Sequence, residues 1–459
     1  MKFRKEEDFL GEVKIPSHAY YGVQTARAME SFSISGLWFP REFIRSQGIV
    51  KKAAAIANMK LGKLEKTIGN AIIQACDDVI EGKLDDQFPL DVFQAGAGTS
   101  QNMNVNEVIA NRAIEILGGD KGDYSLIHPN DHVNMSQSTN DTFHVAMNIT
   151  IFESLYNKLF PACERLIHVF SSKAKEFSKD IKTGRTHLMD AVPITLGQEF
   201  SGYAATLQEN YRNLRISSNS LLELNFGGTA VGTGLNAPKE FSEIAIREIN
   251  HMTGLDFKKA DNFFKVTQNT LGAMRVSSGL REIALSLIKI SNDIRLLASG
   301  PRTGIGEITL PEVQPGSSIM PGKINPVIAE MVNMVCFQVC GNDTAVSMAY
   351  QSAQLELNVF MPVIAHDILF SIHILSKAID TLNEKCISGI QANSERCREL
   401  AEKSLSLVTI LSPYIGYHKA AEIARRAYIT GKTIKEVLVE DGVMNSEKAE
   451  KLLDPYSMV

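Results

Sequence analysis

The sequence predicts a mostly α-helical protein organised around a central bundle of five long helices. Two observations carry that prediction. Apolar residues recur at steps of four and three, and they do so through proline-poor stretches far longer than ordinary globular helices. Within Arg281–Ser299 the seam is Ile283, Leu287, Ile290, Ile294 and Leu297. Within 197–224 it is Phe200, Ala204, Leu207, Tyr211, Leu214, Ser218 and Leu221. This is the heptad-like spacing of bundles and coiled coils, and small side chains at 204 and 218 allow close helix approach.

Taken in order, the first 50 residues are mixed, and Pro16, Pro40 and several glycines suggest loops and short elements. Helices are expected over Arg45–Met59 and Ile68–Glu81. A loop follows over Phe88–Gln101, then a helical run to Ile116 and a second polar loop over Gly118–Asn140. From Asp141 five long segments stand out, about 141–178, 197–225, 268–299, 326–350 and 354–390. At ~1.5 Å per residue each spans roughly 37 Å or more, against a mean globular helix of about 11–12 residues. So much apolar flank on long helices favours self-association. Short charged helices are expected from Asn393 to Val459. The domain boundaries that follow are 1–140, 141–392 and 393–459.

Composition narrows the function. The 459 residues carry 47 Lys+Arg against 52 Asp+Glu, a net charge of −5, which argues against a nucleic-acid or anionic-membrane partner. Apolar residues make up 44% and charged residues 22%, so a globular fold is expected. No apolar run reaches the length of a membrane span, and Met331–Asn342 is too short. The start, MKFRKEEDFLGE, lacks the apolar region of a signal peptide. The six cysteines form no CxxC, and Cys336 and Cys340 are expected as buried thiols. A reducing, cytoplasmic setting fits.

Four polar segments could carry chemistry. GSSIMPGKIN (316–325) ends a proline-rich loop, 300–325, between two long helices, and so long a loop in a compact protein is usually functional. It displays Ser317, Ser318, Lys323 and Asn325, and its plainer reading is a Gly/Pro surface loop. GRTHLMDAVP (184–193) offers Thr186 and His187, or simply a satisfied loop histidine. MSQSTNDT (135–142) brings Ser138, Thr139 and Asn140 to a helix start, as an anion site or as plain helix caps. AGAGTSQNMN (95–104) lacks the GK[ST] of a phosphate loop, but Thr99, Ser100 and Asn102 are neutral donors suited to a small carboxylate. No HExxH occurs, and Pro129 interrupts the His128/His132 pair, so neither metal nor cofactor is expected. GGTAVGTG (227–234) follows a helix and is not a dinucleotide fingerprint.

Taken together these segments resemble the aspartase/fumarase superfamily. GSSIMPGKIN is similar, almost letter for letter, to the family signature GSSxMPxKxN. The likeness continues through AYYGVQT, HPNDHVNMSQSTND, GRTHLMDAVP, GTAVGTGLN, SGPRTGIGEITLPEVQ and QLELNVF. GAGTS and STND lean towards the branch that eliminates ammonia from aspartate, whereas GQEFSGY and GEITLPE fit the fumarate-hydrating branch about as well. Met189 stands where the family usually has Gln, FHVAM (143–147) replaces FPTAM, and 349–363 lacks the acidic residues usual in the aspartate branch.

The resemblance implies a homotetramer with a 20-helix core and active sites assembled from three subunits. Its chemistry is elimination across Cα–Cβ of a small dicarboxylate, aspartate or fumarate in the reverse direction, through a doubly negative aci-carboxylate. Ser317 matches the base. Thr99, Ser138, Thr139 and Ser318 match the donors around that intermediate, while Lys323 and Asn325 match those holding the other carboxylate. His187 matches the active-site histidine, with Glu330 to orient it and Thr186 next to it in the same motif, and Asn140 and His187 are expected to contact the leaving amine. The alternatives are a class II fumarase activity and, in a different class, a non-catalytic helical tetramer. The joint presence of Ser317, His187, Lys323 and Asn325 argues against the last.

Overall fold

The computed structural model describes residues 2–459, which form two compact units interleaved along the chain. Of the described residues, the first comprises 2–159, 212–282 and 338–374, and the second 160–211, 283–337 and 375–459. The fold is mostly helical, as the periodicity predicts, and its sheets are two-stranded.

The long helices run over Leu196–Ser218, Leu271–Leu297, Val327–Gln351 and Met361–Lys385. The fifth segment is Thr139–Ser154 joined to Phe160–Glu176 through a wider π-turn at Leu155–Leu159. Every residue of both predicted seams is buried, including Ser218 and Ala204. The last helix starts later than the pattern suggests. Asn358 Oδ1 accepts the Phe360 N–H at 2.8 Å, and Pro362 then suits the first helical turn, so 352–360 is loop. The stretch Met361–Gly389, rather than 331–342, is long and apolar enough by composition to cross a membrane; 61% of its most apolar window is buried inside the protein, as in a core helix.

In the first unit, the N-terminal residues pair as an antiparallel hairpin from Phe3↔Pro16 to Asp8↔Gly11. Its sequence, FRKEEDFLGEVKIP, alternates too weakly for periodicity alone to reveal it. The Arg41–Lys60 helix starts behind Pro40, with Glu42 in its first turn and Lys60 in its last, charges that suit the helix dipole. It packs on Lys66–Ile80, which is capped by Glu65 accepting the Ile68 N–H at 3.0 Å.

In the second unit, GRTHLMDAVP is not a plain loop but the turn of a hairpin, Ile181–Thr186 against Met189–Thr195. His187 and Leu188 form the two-residue turn with φ of 56° and 61°, which suits the right-handed twist of the flanking strands. Beyond Gln391 come the short helices Ser394–Lys403, Tyr417–Thr430, Ile434–Glu440 and Ser446–Leu452, as expected. Cys336 is buried and Cys340 is half-buried, because 340 lies at the edge of its helix's packed face.

Candidate active site

Two of the four polar segments lie in the first unit, and a shared scaffold orders them. The Thr99–Ile116 helix begins after a sharp turn in which Gly98 has φ 78° and Ala97 has φ 58°. The Ala97 N–H donates to Val359 O at 2.7 Å, and Gln94 Oε1 accepts the Gln101 N–H at 2.7 Å. A Cβ on Gly98 would sit 2.1 Å from the Phe143 ring. Gly98→Ala is therefore expected to cost about 2–5 kcal/mol from left-handed strain and overpacking together. It should lower the thermal midpoint in scanning fluorimetry, whereas Gly118→Ala, in open space with φ 84°, should cost only the strain.

At the second segment, Ser138 caps the Thr139–Ser154 helix: its Oγ accepts the Asn140 N–H at 3.2 Å, and Asp141 Oδ1 accepts the Ser138 N–H at 3.0 Å. The plainer capping reading thus holds for Ser138, which can still present its hydroxyl proton outward. Asp141 is fully buried, and its other oxygen accepts the N–H groups of Gly227 and Thr229 at 3.1 and 3.0 Å. That ties GGTAVGTG to the segment as a structural strap. Burial raises the Asp141 carboxyl to about 6, opposed by these backbone N–H groups and by Lys51. Asn140 Nδ2 donates to Ala230 O at 2.6 Å.

Sequence reasoning missed the group beneath this segment. Lys51 is buried, and its Nζ donates to Asn134 Oδ1 at 2.9 Å and to Gln137 Oε1 at 3.0 Å. Burial lowers its ammonium to about 7, with Asp141 acting the other way. On the same helix, Gln47 Oε1 accepts from Gln101 Nε2 at 3.0 Å, and Asn58 holds Met135 O at 2.9 Å and the Ser136 hydroxyl at 2.8 Å. Gln47, Lys51 and Asn58 lie four and seven residues apart, a polar line on an otherwise Ala- and Ile-rich buried helix. That line was the available signal.

The other two segments lie in the second unit. Ser317 Oγ accepts the N–H groups of Ile319 and Met320 at 3.2 and 2.9 Å. Lys323 Nζ donates to Asn325 Oδ1 at 2.8 Å, and Asn325 Nδ2 to Gly316 O at 2.5 Å. Ser317, Lys323 and Asn325 therefore share one folded turn, with Ser318 exposed beside them. The turn carries a cavity of about 480 Å³. Its apolar tip is open, Ile319 being 84% exposed. Thr186 and His187 are exposed at their hairpin tip. Glu330, in the first turn of its helix, lies 3.8 Å from Arg295.

A buried ion cluster roots both loops of this unit, and it too was missed. Arg185 donates to both oxygens of fully buried Glu307, at 3.0 and 2.9 Å. Lys182 Nζ lies 3.0 Å from Glu307 and 2.6 Å from Glu199. The Glu307 carbonyl also accepts the Asn393 N–H at 2.9 Å. Removing one partner would leave an uncompensated buried charge. Among the described residues no group of three or more His, Cys, Asp or Glu side chains is placed to hold a metal ion.

Residues 11–341 match the family described as Lyase, and residues 407–459 match the fumarase C C-terminus. The chain belongs to this lyase family. An aspartate ammonia-lyase from Bacillus sp is 50% identical over 455 residues, covering 99% of this chain and 97% of that protein. A class II fumarate hydratase from Thermosynechococcus vestitus is 49% identical over 448 residues, covering 98% and 96%. A crystal structure described as fumarate lyase:delta crystallin from Brucella melitensis bound to cobalt superposes with a TM-score of 0.96 at 51% identity, covering 100% and 99%. The resemblance read from GSSIMPGKIN and its companions is thus the chain's family, and its fold is the lyase fold.

Proposed function

We propose that this lyase eliminates ammonia reversibly from L-aspartate to give fumarate. The observation that carries the reading is the full-length likeness to aspartate ammonia-lyases, 50% identical to that from Bacillus sp. Ser317, having given its own proton to solvent, removes the Cβ proton as the oxyanion, and the electron pair of the broken C–H bond passes into the adjacent carboxylate as an aci-carboxylate. The Cα–N bond then breaks and ammonia leaves, needing no added proton. A serine hydroxyl is a poor base unless its oxyanion is stabilised. The two backbone N–H groups already aimed at Ser317 Oγ support that role. Thr99, Ser138, Thr139 and Ser318 donate to the developing dianion, and Lys323 and Asn325 hold the second carboxylate. His187, oriented by Glu330 and adjoined in the chain by Thr186, receives the amine together with Asn140.

This assignment draws on segments of both units, and we propose that they meet across a cytoplasmic homotetramer built on the 141–392 segment, flanked by 1–140 and 393–459. A line of Met334, Phe337, Gly341, Thr344 and Met348 along the Val327–Gln351 helix supports it. All five are exposed, with Met334 at 63% and both Phe337 and Met348 at 58%, and they step by three and four. Light scattering should give about four times the chain mass of 50.5 kDa. A stable monomer at micromolar concentration would overturn the tetramer and the shared site together.

The deciding assay follows fumarate absorbance with aspartate, then with malate, as sole substrate. Turnover of aspartate alone is expected. Turnover of malate alone would instead select the class II fumarase reading, which the Thermosynechococcus vestitus relative supports.

A further inference from the structure

We propose that Lys51 is a positioning residue that sets the hydroxyl of Thr139, through Asn134 and Asn102, so that its proton faces the bound carboxylate. The inference rests on the proposed function, because Thr139 matters here as a substrate donor.

The relay is continuous in one unit. Lys51 Nζ donates to Asn134 Oδ1 at 2.9 Å, and Asn102 Nδ2 donates to that same oxygen at 3.3 Å. Asn102 Nδ2 also donates to Thr139 Oγ1 at 3.1 Å. Asn134 Oδ1, held as an acceptor by the Lys51 ammonium, orients the Asn102 amide, and the Thr142 hydroxyl lies 3.0 Å from Asn102 Oδ1 and 2.9 Å from Ser138 O. A rotated Asn102 would set its Oδ1 against the Asn134 oxygen that Lys51 already holds as an acceptor. Lys51, Asn102 and Thr142 are all nearly fully buried, so no bulk water competes for these bonds.

The consequence concerns a single proton. A threonine hydroxyl has one proton and two lone pairs. With one lone pair of Thr139 occupied by the Asn102 N–H, the proton is directed away from that donor. Thr139 is half-buried at the start of its helix, so the available direction for the proton is the open side of the segment. A ligand carboxylate arriving there meets a ready donor, with no reorganisation needed during the reaction. Lys51 supplies a second effect. Its Asn134 bond holds the acceptor oxygen that keeps Asn102 turned, and its bond to Gln137 Oε1 keeps that side chain's Nε2 on Val133 O and Met135 O, just before Ser138.

The test is a double-mutant cycle on the intact full-length protein, with succinate as the probe in titration calorimetry. Lys51→Met and Thr139→Ala are expected each to weaken succinate binding about tenfold or more. In the Thr139→Ala background, Lys51→Met should add less than about threefold, because the hydroxyl it sets is already gone. A role only in holding the fold would leave the two losses multiplying, and that result would overturn the relay. Asn102→Ala, which removes the donor without changing charge, replaces Lys51→Met should that variant not assemble, with the same cycle and the same decision. Succinate bound normally by Asn102→Ala would also overturn the relay. Failure of the wild-type protein to bind succinate or turn over aspartate or malate would instead bring down the proposed function, and the relay with it.

Discussion

Ser317→Ala should lower turnover of the productive substrate by at least about 10²-fold, the lower range for removal of a general base. The chemistry needs a group that can leave its resting bonds and reach a Cβ hydrogen. Ser317 Oγ is held only as an acceptor, by the N–H groups of Ile319 and Met320. Its own proton is therefore uncommitted to that turn, and the two donors favour the alkoxide that forms when the proton is lost. Alanine removes the oxygen and little volume from a partly exposed loop, so the thermal midpoint should barely change. Succinate should still bind, since in the proposed assignment its carboxylates meet Thr99, Thr139, Lys323 and Asn325. Ser318→Ala should cost less, as one donor among several. Near-normal turnover by Ser317→Ala with both aspartate and malate would move the base elsewhere, with His187 the first candidate.

How much of this was legible beforehand depends on the kind of signal each element leaves. The long helices were readable because burial on one face repeats through 25 residues, and the seam from Ile283 to Leu297 is buried throughout. The 181–195 hairpin was not, since KTGRTHLMDAV alternates poorly and its turn uses His187 and Leu188 at positive φ instead of the usual Asn-Gly. The segments bearing candidate site residues were readable because loops dense in Gly, Ser, Thr and Asn stand out against helices. Their supports were not. Lys51, Asp141 and Glu307 are charges inside the protein, and sequence alone assigns charges to the surface. Only a position in register with a buried helix face, as Lys51 has between Gln47 and Asn58, gives such a residue away. Glu307 has no such register. It lies in irregular chain, and its partners Lys182 and Arg185 are more than a hundred residues distant.

Lys323→Met should weaken binding of the dicarboxylate sharply while leaving assembly intact. In this structure Lys323 is exposed and its ammonium is held by Asn325 Oδ1 at 2.8 Å, with Asn325 in turn bonded to Gly316 O at 2.5 Å. The cation and the amide are thus kept together at one end of the turn that carries Ser317 at the other. Around a bound anion this pair can present a charge-assisted bond and a neutral donor side by side. Such a bond to a desolvated carboxylate contributes about 2–4 kcal/mol, which corresponds to roughly 30- to 10³-fold in affinity. Methionine keeps the length and apolar stem of lysine, and the exposed bond to Asn325 contributes little to folding, so light scattering and thermal midpoint should match the wild type. The loss should appear mainly in KM for the substrate and in Kd for succinate. The chemical step should suffer less than in Ser317→Ala, because the proposed assignment puts Lys323 on the carboxylate remote from the developing dianion. Unchanged KM and Kd in Lys323→Met would remove this lysine from the site and leave Asn325 as the carboxylate donor on the turn.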